Sequence, residues 1–172
     1  EYRRQRQMCI RDRHLTDDKL VGSVTVDMGP ASDIHTVELG EGYNPQEGIA
    51  VSMGNPHLVL FTDNLSQDEI TTTGPLLECH PLFPDRVNVE FAQIRSDGSI
   101  RMRVWERGSG VTLACGTGAC ATAIAAAFSG RTRGKTTVEM DGGSLTVEQD
   151  PTTGHVLMTG PAVHVFDGEI EY

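Results

Sequence analysis

Residues 105–130 read WERGSGVTLACGTGACATAIAAAFSG, and the hydrophobic pattern changes period inside this stretch. Up to Trp105 the chain alternates as a strand does, from Ile100 through Met102 and Val104. Three glycines follow at 108, 110 and 116, and then comes a run dominated by alanine. Ala119, Ala121, Ala123, Ala125, Ala126 and Ala127 are the strongest helix formers, so the composition predicts a helix over Gly118–Phe128, stopped by Gly130. Its small side chains allow close packing against a sheet.

Working outward, the neighbouring segments read as strands. Val87, Val89 and Phe91 alternate with polar partners up to Ile94, Asp97 and Gly98 mark a turn, and Ile100–Trp105 alternates again, which predicts a β-hairpin. Thr136–Met140, Ser144–Glu148 and His155–Thr159 repeat the signal, separated by Gly142, Gly143 and Gly154. Upstream, Leu20–Met28 is β-rich and ends at Gly29 and Pro30. Ile49–Ser52 and Leu58–Phe61 are short apolar runs broken by Met53, Gly54, Asn55, Pro56 and His57, a polar cluster between strands where Gly and Pro force a sharp backbone feature. A weaker helix covers Asp68–Leu77, with Thr71–Gly74 poor for helix and Pro75 suited to opening a short one. The sum is an α+β fold, a mostly antiparallel sheet wrapped around one central helix.

The 172 residues with 38% hydrophobic content suffice for one compact domain. No apolar run approaches the roughly 18 residues of a membrane span, and no signal peptide is evident, so a soluble cytoplasmic protein without membrane contact is expected. A net charge of −10 argues against nucleic acid as a partner, because such binding draws on clustered Lys and Arg. Five basic residues lie within 1–13, leaving nine basic against twenty-two acidic residues elsewhere, a charge of −13. That opening, EYRRQRQMCIRDR, shows neither period nor cap and predicts no element of the fold. Two readings stay open for it: a disordered basic tail, or a foreign stretch, since MCIRDR resembles translated sequencing-adapter sequence. Cys9, Cys79, Cys115 and Cys120 form no CxxC and fit neither a disulfide scaffold nor a zinc site, so reduced thiols are expected.

Cys115 sits where the Gly-rich turn enters the predicted helix. The N–H groups of Gly116, Thr117 and Gly118 would lie at the helix start, without intrahelical acceptors and at the positive end of the dipole. Such a place binds a carboxylate and stabilises a thiolate, with cysteine pKa values there falling to roughly 3.5–7.5. One feature would hold an amino-acid carboxylate and poise a sulfur beside its α-carbon. The plain alternative is a small buried hydrophobe at a helix start, the fate also expected of Cys120 and Cys79. Glu106 and Arg107, an adjacent acid and base before this loop, are either a solvated strand end or a grip on the two charges of a zwitterion.

The run ERGSGVTLACGTGACA closely resembles the second cysteine motif of diaminopimelate epimerases. GNPH at Gly54–His57, RVNVEF at Arg86–Phe91 and MTGPAVHVF near the C-terminus are similar to further motifs of that family, in the same order. Proline racemases and phenazine-type isomerases share the fold but differ in their catalytic loops. The resemblance implies a diaminopimelate epimerase-like domain over 14–162 and a small amino-acid substrate, LL- or meso-2,6-diaminopimelate, in lysine biosynthesis. It implies that Cys115 is one of two acid/base thiols and that Gly116 and Thr117 offer amides to the reacting carboxylate. Asn55, Asn88 and Arg107 would hold the distal end of the substrate. His57 and Glu106 would lie near the reacting centre, contacting the ammonium or tuning the thiols.

It also implies catalysis with no cofactor and no metal. In agreement, His14, His35, His57, His80, His155 and His164 show no ligand spacing, and Lys19 and Lys135 lack a setting for a pyridoxal Schiff base. The family's first catalytic cysteine, on a GNGxRC-like motif, has no counterpart, and Cys9 has no such context. The expectation is therefore a fragment inactive by itself, whose residues 163–172 would form a strand returning to a missing N-terminal domain, with a homodimer as one further association. Two other function classes stay open: a non-catalytic carboxylate-binding module of the same fold, and a cysteine-nucleophile hydrolase with His57 placed against Cys115.

Overall fold

A computed structural model describes residues 9–15, 21–163, 165, 166 and 168–170. Eleven strands form one mixed sheet in the order β1-β2-β11-β10-β9-β7-β6-β5-β4-β3, with the short β8 added to β7. In chain order they are β1 (Cys9–Leu15), β2 (Val21–Pro30), β3 (Ser32–Glu38), β4 (Glu47–Ser52), β5 (Pro56–Phe61), β6 (Asn88–Ile94), β7 (Ile100–Glu106), β8 (Gly110–Thr112), β9 (Thr136–Met140), β10 (Gly143–Gln149) and β11 (His155–Pro161). The helices are α1 (Gln67–Glu78) and α2 (Gly116–Phe128). Pairing is antiparallel except at β5–β6 and β7–β9.

The sheet wraps around α2, which touches β4, β5, β6, β7, β9, β10 and β11. Buried from Gly118 to Ala126, α2 has no polar stripe. Its mostly alanine-sized side chains let strands approach it from many sides, and that is why the run is rich in alanine. A second apolar cluster lies on the other face, where Ile70 and Leu77 of α1 meet Leu58, Leu60, Val89 and Phe91.

This two-sided cover explains a feature the hairpin pattern only half reveals. Residues 88–92 of β6 are all buried, so the partners of Val89 and Phe91, namely Asn88, Glu90 and Ala92, face the α2 side rather than water. Parallel pairing sets His57 opposite Asn88 and Val59 opposite Glu90. Two polar strand positions are thereby brought to the start of α2.

Several elements differ from expectation. β1 does form, starting in the opening segment that lacks any hydrophobic period and running two residues past it: antiparallel pairing to β2 draws on main-chain groups common to every residue, and its register slips at Ile10/Asp12 and His14/Leu15. β2 runs through Gly29 and Pro30, and β3 follows almost at once. As an edge strand, β3 buries Val37 alone, too little to leave a sequence signature. α1 starts eight residues before Pro75, capped by the Ser66 side chain accepting from Glu69 N–H at 3.2 Å, so Pro75 lies inside the helix instead of opening it. Cys79 is the exposed C-cap of α1 rather than a core residue, while Cys120 is fully buried. Beyond Pro161 the described residues form no strand, and Val163, Val165, Phe166 and Ile170 are exposed. Among the described residues no helix is long and apolar enough to cross a membrane.

Candidate active site

Cys115 is the N-cap of α2, with extended backbone and a side chain that accepts from Gly118 N–H at 3.4 Å. A cysteine here does what Ser or Asp does at other helix starts. Gly116 and Thr117, the first two helical residues, keep N–H groups without intrahelical acceptors. The third expected donor, Gly118, serves the sulfur instead of an incoming ligand.

Behind the thiol lies a buried polar cluster. The Thr117 hydroxyl is 3.6 Å from Cys115 Sγ and accepts from Asn55 Nδ2 at 3.4 Å. Asn55 Oδ1 faces His57 Nε2 at 3.2 Å, and His57 Nδ1 meets Glu90 Oε1 at 2.6 Å. The His57 and Glu90 side chains are fully buried, and the second Glu90 oxygen has no hydrogen-bond partner. The GNPH turn delivers the first half of this set: Gly54 takes φ +91°, a left-handed conformation suited to glycine, and aims Asn55 and His57 inward.

Gly118 is required by the same geometry. A Cβ there would lie 2.8 Å from Glu90 Oε1 and 3.2 Å from Cys115 Sγ, so carboxylate and sulfur crowd one spot. The expected low thiol pKa is not realised in this chain. Burial pushes the Cys115 thiol above its ordinary value; donation from Thr117 and from Gly118 N–H pulls it back, and the charges of Glu90 and Glu106 add to the rise. Desolvation outweighs the helix terminus here.

Asn88 ties two loops together, donating to the Pro56 carbonyl at 2.9 Å and accepting from Arg107 N–H at 2.9 Å. The Arg107 guanidinium donates to the Asp85 carbonyl at 2.9 Å, and Glu106 accepts from the Thr112 hydroxyl. A groove of about 620 Å³ opens here, its walls including Asn55, His57, Arg86, Arg107, Asp33 and His35. The structure thus gathers Asn55, His57, Cys115, Gly116 and Thr117 at one helix end and sets Asn88 and Arg107 beside the groove. His57 spends its two nitrogens on Glu90 and Asn55, so the His–Cys contact that a cysteine hydrolase needs is not formed.

Two further residues carry the site. Glu90 is inside the quoted RVNVEF motif, and its signal was a carboxylate in the middle of a strand with apolar neighbours on both sides. Glu78 accepts from Trp105 Nε1 at 2.7 Å and from Gly108 N–H at 3.0 Å, clamping the loop that precedes the thiol. Nothing in its surroundings in sequence marks that role.

A family model for diaminopimelate epimerase matches residues 49–165, which hold every residue of this cluster. The chain belongs to the diaminopimelate epimerase family. It is 57% identical over 152 residues to a diaminopimelate epimerase of Parabacteroides distasonis, covering 88% of this chain and 56% of that protein. With a diaminopimelate epimerase of Moorella thermoacetica it shares 44% over 173 residues, 93% of this chain and 62% of the relative. The chain therefore spans little more than half the length of these epimerases. Among solved structures, a hydroxyproline epimerase from Agrobacterium vitis superposes with a TM-score of 0.64 at 20% identity, over 87% of this chain and 52% of that one. A phenazine biosynthesis protein of Bacillus anthracis gives 0.61 at 12% identity, over 94% and 64%. These two support the α+β fold and nothing narrower.

Proposed function

We propose that this chain supplies one half-site of a cofactor-independent epimerase that interconverts LL- and meso-2,6-diaminopimelate in lysine biosynthesis. The observation that carries the reading is a sulfur and two unspent amides on one helix turn. Gly116 and Thr117 N–H groups bind the α-carboxylate and favour the charge that builds on it as the Cα–H bond breaks. Cys115, as thiolate, takes the α-proton from one face; a thiol on the opposite face returns a proton to the carbanion, and the centre inverts. In the reverse direction the two sulfurs exchange roles. Asn55, Asn88 and Arg107 hold the distal end of the substrate, and His57 and Glu106 act around the reacting centre and the thiol.

The second thiol comes from a partner half, so residues 1–172 alone are inactive. Incubation with LL-diaminopimelate in deuterium oxide, followed by mass spectrometry and chiral separation, tests both claims. No label is expected from the chain alone. Label at the α-carbon is expected once it is joined to the N-terminal half of the Parabacteroides distasonis relative, and Cys115→Ala lowers it at least about a hundredfold. Turnover by the chain alone sinks the half-site claim; a silent fusion sinks the epimerase reading and favours a carboxylate-binding module.

A further inference from the structure

Glu90 is the buried charge that the mechanism above leaves unused, and its neighbours form a continuous hydrogen-bond chain to the thiol. The order is Glu90, His57, Asn55, Thr117, Cys115, with successive distances of 2.6, 3.2, 3.4 and 3.6 Å. Such a chain has two self-consistent directions, because an imidazole nitrogen, an amide and a hydroxyl can each be turned round. In one, His57 donates only to Glu90, Asn55 donates to His57, Thr117 donates to Asn55, and Thr117 is left to accept from a Cys115 S–H. In the other, His57 donates from both nitrogens, to Glu90 and to Asn55 Oδ1. Asn55 then donates to Thr117, and the Thr117 hydroxyl donates to the sulfur.

Geometry decides between them. Glu90 is fully buried, its second oxygen has no partner, and its one ion-pair partner among the described residues is His57 at 2.6 Å. The observed arrangement of Asn55, with Oδ1 toward His57 and Nδ2 toward Thr117, is the second direction.

We propose that Glu90 is a positioning residue for the acid/base thiol: acting through His57, Asn55 and Thr117, it fixes the direction of the chain so that it ends as a donor on Cys115 Sγ. The inference rests on the reading of Cys115 as an acid/base group. Through space the charge of Glu90 pushes the thiol up, whereas through the chain it favours the thiolate, so the two routes act in opposite directions. This is testable by sign. Bare proximity of a carboxylate to a thiolate opposes ionisation, so removing that charge would ease it; loss of the chain's direction would hinder it.

The experiment is the pH profile of iodoacetamide alkylation at Cys115, followed by peptide mass spectrometry on residues 1–172. It needs no turnover, so its outcome is independent of the deuterium test. The groups facing the sulfur are Glu90 from β6, Glu106 from β7 and Cys120 from within α2. Glu90→Gln, close in shape, is expected to move the midpoint up by about one pH unit, slowing alkylation about tenfold below both midpoints. Glu90→Asp should restore part of this, and Glu90→Gln should add nothing in a His57→Gln background. A downward shift, no shift, or full additivity of the two substitutions overturns the proposal. If Glu90→Gln does not fold, nitrogen NMR of the His57 ring in the unaltered chain decides. A proton on Nε2, facing Asn55 Oδ1, supports it; a bare Nε2 overturns it.

Discussion

The first turn of α2 and its interior are built from similar small residues yet behave as different materials. Cys115 and Cys120 lie on the same segment. Cys120 is sealed among alanines, and burial together with the neighbouring Cys115 pushes its thiol up to about 12. Cys115, at the helix mouth, is also raised by burial but keeps Thr117 and Gly118 as donors. Position relative to the helix end, rather than residue type, separates a core sulfur from a usable one, because only the end has unspent N–H groups.

The largest effect should come from overfilling the interior. Ala125 is fully buried between strands, and Ala125→Leu should cost about 1–3 kcal/mol or prevent folding, read from the urea midpoint. At the mouth a different balance is expected. Gly118→Ala gains helix propensity of up to about 1 kcal/mol but drives a methyl group against the buried Glu90 carboxyl and the sulfur, so any net stability change should be a loss, accompanied by a moved Cys115 alkylation midpoint. A large stability loss with an unmoved midpoint would break the comparison.

A smaller difference is chemical. As pH rises, Cys115 should become alkylated before Cys120, whose thiol is pushed up to about 12, and equal rates in the folded protein would show that the mouth and the interior are not distinct. The smallest effect concerns Glu78, which anchors the loop before the mouth. Its donors, Trp105 foremost, hold its carboxyl below the usual value. With a folded pKa below the unfolded one, the contribution is present above about pH 4.5 and is lost as pH falls through the lower folded pKa. Glu78→Gln should therefore flatten the acid limb of the stability profile, and an unchanged limb would discount the clamp.

Much of this was legible in sequence because it is local. The alanine run, the 95–99 turn and the paired alternations on either side of it each announce their element through composition and period. Cys115, Gly116 and Thr117 were marked by their place at a helix start, and Asn55 and His57 by a Gly–Pro turn between apolar runs. The misses share a cause. β1 and β3 are edge strands held by main-chain pairing, and Pro75 is carried inside α1 by packing of Gly74 against Trp105. Those forces act between segments.

By itself the sequence determined the helix mouth with its sulfur and amides, the family, and the acid and base that precede the loop, since each depends on neighbours a few residues apart. Tertiary structure alone decided that both faces of β6 are covered, that Glu90 therefore meets His57 instead of water, and that the thiol lies above its ordinary pKa. Burial is set by what folds over a residue, and a carboxylate that reads as solvent-facing in an alternating strand becomes a buried partner once α2 lies on it.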